Sequence, residues 1–451
     1  MRLRQYLGYA SGDVANNLTF SMASAFLLLY YTDVAGISAG AAGTLFLVVR
    51  VWGGVTDLVA GRLVDATSTR WGRFRPYLVL ASVPLLLLLV ALFSIPGGLG
   101  DGGKLGWAYV SYALFSLAYS FVNIPYGSLA AAMTQDAGER ARMSTARMVA
   151  ASVTILAIAM VVSPQISGAS DLQRSLTITT VVFAIVGYAL YVWCFASTEE
   201  RVARTAAQVS LRDTVGMLRH NRPLVILCAS ALLFLTGMFA VQTVAVYYAR
   251  DVLGNADLFI VMTVVQTVGM LGAAALVPAA VERLGKKRAY LVAGAVAAAA
   301  GIGLGLAPGS VPAVGLAFFG VYGLGLGLVN ALIFALQADT VDYGEWQSGV
   351  RAEASNYAVL SFMRKAGQGV GGAAAAYTIG LGGYVSGAGD QTDSAVTSIR
   401  IAAGILPAVV VFGAVAVMST YPLTEKAFRG LVADLAARRA TGDEPATTAT
   451  P

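Results

Sequence analysis

Residues 51–65 read VWGGVTDLVAGRLVD, and Arg50 stands immediately before them. The stretch is oily enough for lipid, yet it carries a guanidinium and a carboxylate with glycines between them. Arg50 and Asp57 are two helical turns apart, so on a helix they share one face and can neutralise each other, directly or through a third group. The surrounding chain has 451 residues, 57% of them hydrophobic and 12% charged, with a mean hydropathy of +0.71. A soluble chain carries about 25% charged residues. This composition excludes an ordinary soluble domain and predicts a polytopic membrane protein.

Twelve stretches have the roughly 20 mostly apolar residues that a spanning helix needs. They run at about 10–33, 40–65, 77–96, 107–132, 143–167, 176–197, 223–248, 257–280, 287–307, 312–337, 354–384 and 398–421. The first has no small-residue cleavage site and continues into YYTDVAG (30–36), so no cleavable signal is expected. Arg2 and Arg4, then Arg70, Arg73 and Arg75, Arg140 and Arg142, Arg201 to Arg222, Arg283 to Arg288, Arg351, and the tail from Lys426 fall on one side. Lys104, Arg174, Arg250 and Arg400 fall on the other. The positive-inside rule then puts both termini in the cytoplasm of a multi-pass cell-membrane protein. The net charge of +6 reads as this topology signal and not as nucleic-acid binding.

The expected fold class is all-α with two six-helix halves. Residues 1–197 form the first bundle, 198–222 a cytoplasmic linker, 223–421 the second bundle and 422–451 a cytoplasmic tail. RWGRFRPYL (70–78) after the second helix and RLGKKRAYL (283–291) after the eighth hint at an internal repeat, as in transporters. Cys194 and Cys228 lie in apolar runs, which argues against a disulfide framework. The single histidine, His220, sits in the basic run RHNRP and reads as a loop residue, so no histidine relay or metal site is expected in the membrane.

Polar residues inside the spans fall into stripes. Asp13, Asn17, Ser21 and Ser24 line one face of helix 1, and Arg50, Gly54, Asp57 and Gly61 one face of helix 2. Ser116, Ser120, Asn123 and Gly127 repeat the spacing on helix 4, as do Ser361, Lys365, Gln368 and Gly372 on helix 11; Arg147 lies early in helix 5. Small residues at this spacing also serve plain helix packing. The ionisable members argue for more, because each costs at least about 2.5–3.5 kcal/mol near the middle of the bilayer unless paired or wetted. Asp13, Arg50, Asp57, Arg147 and Lys365 together imply a polar cavity with one net positive charge, suited to an anionic ligand. Tyr30, Tyr31, Thr32 and Asp33 read as an interfacial end of helix 1. Asp65 with Arg70, Arg73 and Arg75, Glu139 with Arg140, and Asp339 with Asp342 read either as solvated loop charge or as gating ion pairs across the halves; gating is favoured here. GLGLG (323–327) lies in a helix and reads as close packing rather than a nucleotide loop. With no nucleophile elbow, phosphate loop or metal-ligand cluster in the sequence, neither an enzyme nor a cofactor is expected.

GDVANN (12–17), YYTDVAG (30–36), RWGRFRPYL (70–78), NIPYGSLAAAMTQDAGERARMSTAR (123–147), ADTVDYGE (338–345), RKAGQG (364–369) and YPLTEK (421–426) occur in order along the chain. Together they resemble the glycoside–pentoside–hexuronide:cation symporters of the major facilitator superfamily, from about residue 6 to 430 and most nearly the glucuronide carriers. The resemblance implies the major facilitator fold and cation-coupled sugar uptake by alternating access. It makes Asp13 a sugar-binding acid, Asp57 the second acid of a helix-2 cation motif, Arg147 a sugar-contacting arginine and Lys365 the helix-11 lysine. Two positions depart from the pattern. The first acid of the cation motif is Gly53 here, which weakens a sodium site, and the helix-4 acid of melibiose-type carriers is Asn123, which weakens a galactoside reading.

The expected sugar or uronide site therefore comprises Asp13, Asn17, Phe20, Asn123, Arg147, Lys365 and Gln368. The expected coupling group is Asp57 with Arg50, Thr56 and Ser120. One carboxyl group suffices for a proton, so H+ is favoured; Na+ at Asp57, uncoupled carriage of neutral glycosides or pentosides, and a lipid or other solute on the same fold stay open. The partners expected are the small-molecule sugar, the cation and the bilayer, with the protein acting as a monomer.

Overall fold

Backbone polar groups have no partner in hydrocarbon, so a spanning chain closes its hydrogen bonds within helices. The computed structural model follows that rule: among the described residues there is no strand, only an isolated bridge between Thr69 and Gly72. The described residues are 2–67, 69–134, 137–201, 221–348, 353–385, 388 and 390–441. Most of the expected linker, Arg351 and the end of the tail lie outside them, as do the side chains of Asp65 and Arg140.

Among the described residues twelve spanning helices follow one another. The first six are α1 (Leu3–Leu29), α2 (Ala39–Ala66), α3 (Arg75–Leu80 continued as Ser82–Leu92), α4 (Asp101–Met133), α5 (Ala137–Gly168) and α6 (Leu172–Ser197). The next are α7 (Arg222–Tyr247) and a helical run Leu258–Leu306 broken at Gly285 (φ 75°, ψ 158°) into α8 (258–284) and α9 (286–306). They are followed by α10 (Pro312–Ser348), α11 (Glu353–Leu381) and α12 (Asp393–Arg400 leading into Leu406–Ser419). After the spans, α13 (Glu425–Thr441) packs on α10. The conformation at Gly285 is one that a side chain disfavours, and a Cβ there would also come within 2.7 Å of Glu425 Cγ.

Nine helical runs among the described residues are long and apolar enough to cross a membrane, one of them the double-length run through Gly285. α1 and α11 are not among the nine. They are the helices that carry Asp13, Asn16 and Asn17, and Arg364, Lys365 and Gln368, so polarity is concentrated where a site is expected. α2 shows how one helix serves both solvents. Val51, Val55, Val59 and Leu63 are exposed along one side, while Thr56 is buried on another.

The chain gathers into two compact units. One comprises Met1–Ala206, Gln242–Val264 and Gly372–Ala402; the other comprises Ala207–Val241, Val265–Gly371 and Ala403–Pro451. In the first unit α1 packs on α5 and α6, α2 on α4, and α3 on α4 and α6. In the second, glycines set the helix spacing. A Cβ at Gly404 of α12 would lie 2.3 Å from the Gly305 nitrogen of α9. In GLGLG, a Cβ at Gly323 would lie 2.6 Å from the Gln266 carbonyl oxygen, at Gly325 2.8 Å from Ala297 Cβ, and at Gly327 2.7 Å from Ala273 Cβ. The motif therefore packs α10 against α8 and α9.

Overpacking of such contacts costs about 1–3 kcal/mol or more. Gly404→Val is expected to lower the apparent melting temperature in detergent by several degrees or to prevent folding. Gly61→Ala, whose Cβ would meet nothing within 4 Å, should leave it unchanged or slightly raised. Thermal unfolding of the two purified variants checks this, and equal melting curves would contradict it.

Candidate functional site

The central pair of the first unit is Asp13 on α1 and Arg147 on α5. Arg147 donates from Nε (2.9 Å) and Nη2 (2.8 Å) to Asp13 Oδ1, with the carboxylate side chain only 8% exposed and the guanidinium 36% exposed. Asn17, one turn along α1, donates to Asp13 Oδ2 at 3.1 Å, and Ser21 in turn donates to Asn17 Oδ1 at 3.3 Å. The stripe read on helix 1 is thus a hydrogen-bonded chain. Two stacked tyrosines support the guanidinium: Arg147 Cζ lies 4.9 Å from the Tyr126 ring centre and 5.8 Å from that of Tyr9. Tyr126 donates to the Tyr9 carbonyl at 2.8 Å. Gly12 makes room for this shelf, since a Cβ there would sit 2.5 Å from Tyr126 Cε2. Gly12 and Asp13 of GDVANN and Tyr126 and Arg147 of the 123–147 segment therefore interlock.

A second cluster joins α2 to α4. Ser120 donates to Asp57 Oδ1 at 2.7 Å and lies 3.1 Å from the Thr56 hydroxyl. A Cβ on Gly53, one turn before Asp57, would meet only the Ser116 hydroxyl, at 2.9 Å. Further along, Arg50 lies over the Phe20 ring at 5.5 Å, and Phe20 stacks on Tyr119 at 5.8 Å between centroids. These groups line a cavity of about 40 Å³ with Ser24 and Ser116. That volume admits a few waters and no sugar ring, because one water needs roughly 10–15 Å³ of such space. Asn123 is half-buried on the same helix as Ser120.

Lys365 and Gln368 belong to the second unit, on α11, one helical turn apart and half-buried. Their neighbour Arg364 donates to Asn330 Oδ1 of α10 at 3.1 Å and lies 4.9 Å from the Phe334 ring centre.

The mouth residues have local partners. Arg75 donates to the Phe195 carbonyl (2.7 Å) and stacks on the Phe195 ring (4.5 Å), and Arg73 Nε donates to the Val64 carbonyl (3.0 Å). Glu200 accepts the backbone N–H groups of Arg73, Phe74 and Arg75 at 2.8–3.1 Å. Arg70 lies over the Trp71 ring at 5.2 Å, and Glu139 accepts from Thr134 at 2.6 Å. In the second unit Lys286 donates to both Asp339 oxygens, at 2.6 and 2.9 Å, and Asp342 is half-buried. Each of these named contacts stays within its own unit. Beyond the spans, the Glu199 carboxyl is held below its ordinary range by hydrogen bonds and charge from Arg201.

The interfacial reading of Tyr30–Asp33 is corrected by the structure. Tyr30 and Tyr31 are fully buried, and Asp33 is 7% exposed. Arg250, just past α7, donates to Asp33 Oδ2 at 2.5 Å and forks onto Asp251 at 2.8 and 3.0 Å. Tyr384, just past α11, donates to Asp33 Oδ1 at 2.8 Å and contacts Arg250. Thr32 pairs with Tyr247 at 2.8 Å. Aromatic belts and buried tyrosines look alike in composition. The available signal was charge: Asp33, Arg250 and Asp251 stand on the side where few basic residues fall.

Residues 8–425 match the family model described as MFS/sugar transport protein. The chain belongs to this family. It is a multi-pass membrane transporter with the major facilitator fold, and not an enzyme. The transporter is 42% identical over 441 residues to the glucuronide carrier protein homolog of Escherichia coli (strain K12), covering 97% of this chain and 96% of that one. It is 32% identical to the isoprimeverose transporter of Lactiplantibacillus pentosus, over 96% and 91% of the two chains. The crystal structure of a D-xylose-proton symporter superposes with a TM-score of 0.63 at 16% identity, over 94% of this chain and 98% of that one. A nucleoside transporter superposes with a TM-score of 0.69 at 13% identity, over 94% and 100%. At such identities the two superpositions speak for the fold alone.

In this transporter, removing one partner of the Asp13–Arg147 pair leaves an uncompensated charge, at a cost of about 3–5 kcal/mol for a buried pair and less where water reaches Arg147. Arg147→Ala is expected to lose stability, and Asp13→Asn with Arg147→Gln to regain most of it. Melting curves of the single and double variants test this; additive losses would rule out the coupling.

Proposed function

We propose that this transporter takes up a hexuronide glycoside, such as a β-glucuronide, by proton-coupled symport through alternating access, as a monomer with both termini in the cytoplasm. The observation that carries the coupling half is the α2 motif: it supplies Asp57, with Ser120 donating to it at 2.7 Å, and glycine at position 53 where a second acid would stand. One carboxyl group suffices to carry a proton, whereas Na+ prefers several hard oxygens and more than one negative charge close by. Arg50 stands on the same face of α2, two turns from Asp57.

The sugar site proposed is Asp13, Asn17, Phe20, Asn123 and Arg147, with Lys365 and Gln368. Arg147 already binds one carboxylate, that of Asp13. A uronide carboxylate would take its place at the Nε and Nη2 donors, with Asp13 remaining in the site as a second negative charge. Asp13 would then accept hydrogen bonds from sugar hydroxyls, while Lys365 adds a point charge. The name of the Escherichia coli relative supports a glucuronide, and that of the Lactiplantibacillus pentosus relative supports a second reading, a neutral xylose-containing glycoside. The charges Asp65, Arg70, Arg73, Arg75, Glu139, Arg140, Asp339 and Asp342 are proposed to order the cytoplasmic mouth as the state changes.

Uptake into vesicles under a pH jump or a Na+ jump, across uronides and neutral glycosides, tests the reading. Uronide uptake should follow the pH jump and fall at least tenfold in Arg147→Ala and Lys365→Ala protein that still reaches the membrane; persistent uptake in both would refute the assignment. Asp57→Asn should abolish accumulation against a gradient and leave exchange intact. Gly53→Asp restores the two-acid spacing, and rotation of Ser116 gives it room, so it should gain stimulation by Na+. A Na+ response already present in the parent protein would favour the sodium alternative.

A further inference from the structure

The chain ends α1 and α7 in the same way. YYTDVAG (30–36) follows α1 and YYARDVLG (247–254) follows α7, each with a π-helical turn, at Tyr30–Val34 and Tyr248–Val252. Each turn is followed by a glycine in the left-handed region, Gly36 (φ 74°) and Gly254 (φ 75°). A third such glycine, Gly383 (φ 77°), immediately precedes Tyr384. A Cβ at any of the three would meet nothing within 4 Å, so packing does not explain these glycines; their backbone conformation does. The charges carried by these ends meet. Arg250 bridges Asp33 from the first copy of the motif and Asp251 from its own, and Tyr384 closes the ring by donating to Asp33. Beside the ring α2 and α11 lie in direct contact. Thr44 pairs with Tyr377 at 2.5 Å, and a Cβ on Gly43 would lie 3.2 Å from the Ala373 carbonyl oxygen.

We propose that Asp33, Arg250, Asp251 and Tyr384 are a lock that holds the ends of α1, α7 and α11 together at the side remote from the termini, and that the lock must open once per transport cycle. The claim rests on the alternating-access reading above. Two carboxylates, one guanidinium and one phenol form a set that is satisfied only when the three ends are together. Separating the ends exposes every member to water, which hydrates them, so the lock has a stable open form as well as a stable closed one. The three left-handed glycines flank the lock on α1, α7 and α11, where hinge residues absorb changes of backbone angle. The repeat pairs a motif with its own copy, and gives Arg250 two carboxylate partners on a side otherwise poor in basic residues.

The cross-linking and labelling arms of the test need no substrate, so their outcome is independent of which sugar is carried. A Cβ on Gly380 would lie 3.5 Å from Ala39 Cβ, within the 3.5–4.5 Å span of a disulfide. Ala39→Cys with Gly380→Cys, in a Cys194→Ala and Cys228→Ala background, is expected to cross-link quickly under mild oxidation in membranes. Uptake should stop on oxidation and return on reduction. Adding Arg250→Gln or Asp33→Asn should slow cross-linking at least fivefold and raise maleimide labelling of the Ala39→Cys single variant by a similar factor. Arg250→Lys should restore part of the rate. Tyr384→Phe, which removes one hydroxyl and keeps the ring, should give an intermediate slowing even if the charge variants fail to fold. Cross-linking at the parent rate in Tyr384→Phe and in folded Arg250→Gln protein would overturn the proposal.

Discussion

The Asp13–Arg147 ion pair is the interaction on which the first unit turns. A charge in hydrocarbon needs an opposite charge, donors or water, and this pair has an opposite charge and a supporting set of neighbours. Asn17 saturates the second carboxylate oxygen, and a stacked pair of tyrosines lies under the guanidinium. Gly12 exists so that Tyr126 can reach that position. α1 is consequently bound to α4 and α5 by chemistry as well as by packing, and its polarity is the mark of that role. Under the proposed function the pair is also the point at which structure and transport meet, because a bound anion would compete with Asp13 for one guanidinium.

Asp57 and Ser120 follow the same logic at a different strength. Ser120 donates to one Asp57 oxygen, whereas Arg147 places two donors on one Asp13 oxygen and Asn17 donates to the other. In the proposed function Asp13 and Asp57 serve different tasks, and the glycine at position 53 stands where a second cation-binding acid would be.

Much of this was legible in the residue order. The twelve spans followed from apolar length, and the stripes on helices 1, 2, 4 and 11 followed from spacing, because burying ionisable groups is costly enough to leave a pattern. Partner identity did not follow. Nothing in the order of residues says that α1 lies beside α5, so Arg147 was found as a charge and its bond to Asp13 only in three dimensions. Residue order likewise did not name the Phe20 ring beside Arg50 or the Ser120 hydroxyl on Asp57. Helix ends were also hidden: α1 begins at Leu3 and α4 at Asp101, several residues before their apolar runs, because short polar turns extend a helix without adding hydropathy. The surroundings of Tyr30–Asp33 are hidden for a related reason, since a tyrosine pair beside an acid has the same composition whether it faces headgroups or another helix.

Glu200 gathers three successive amides of the segment between α2 and α3, and Gly72 leaves the space that its carboxylate fills. Arg75 answers from the other direction by gripping the last turn of α6. Three helix ends are thereby stapled at one spot. Any shift of the end of α6 relative to α3 has to break these bonds together, so the corner carries a cooperative cost against coming apart one contact at a time.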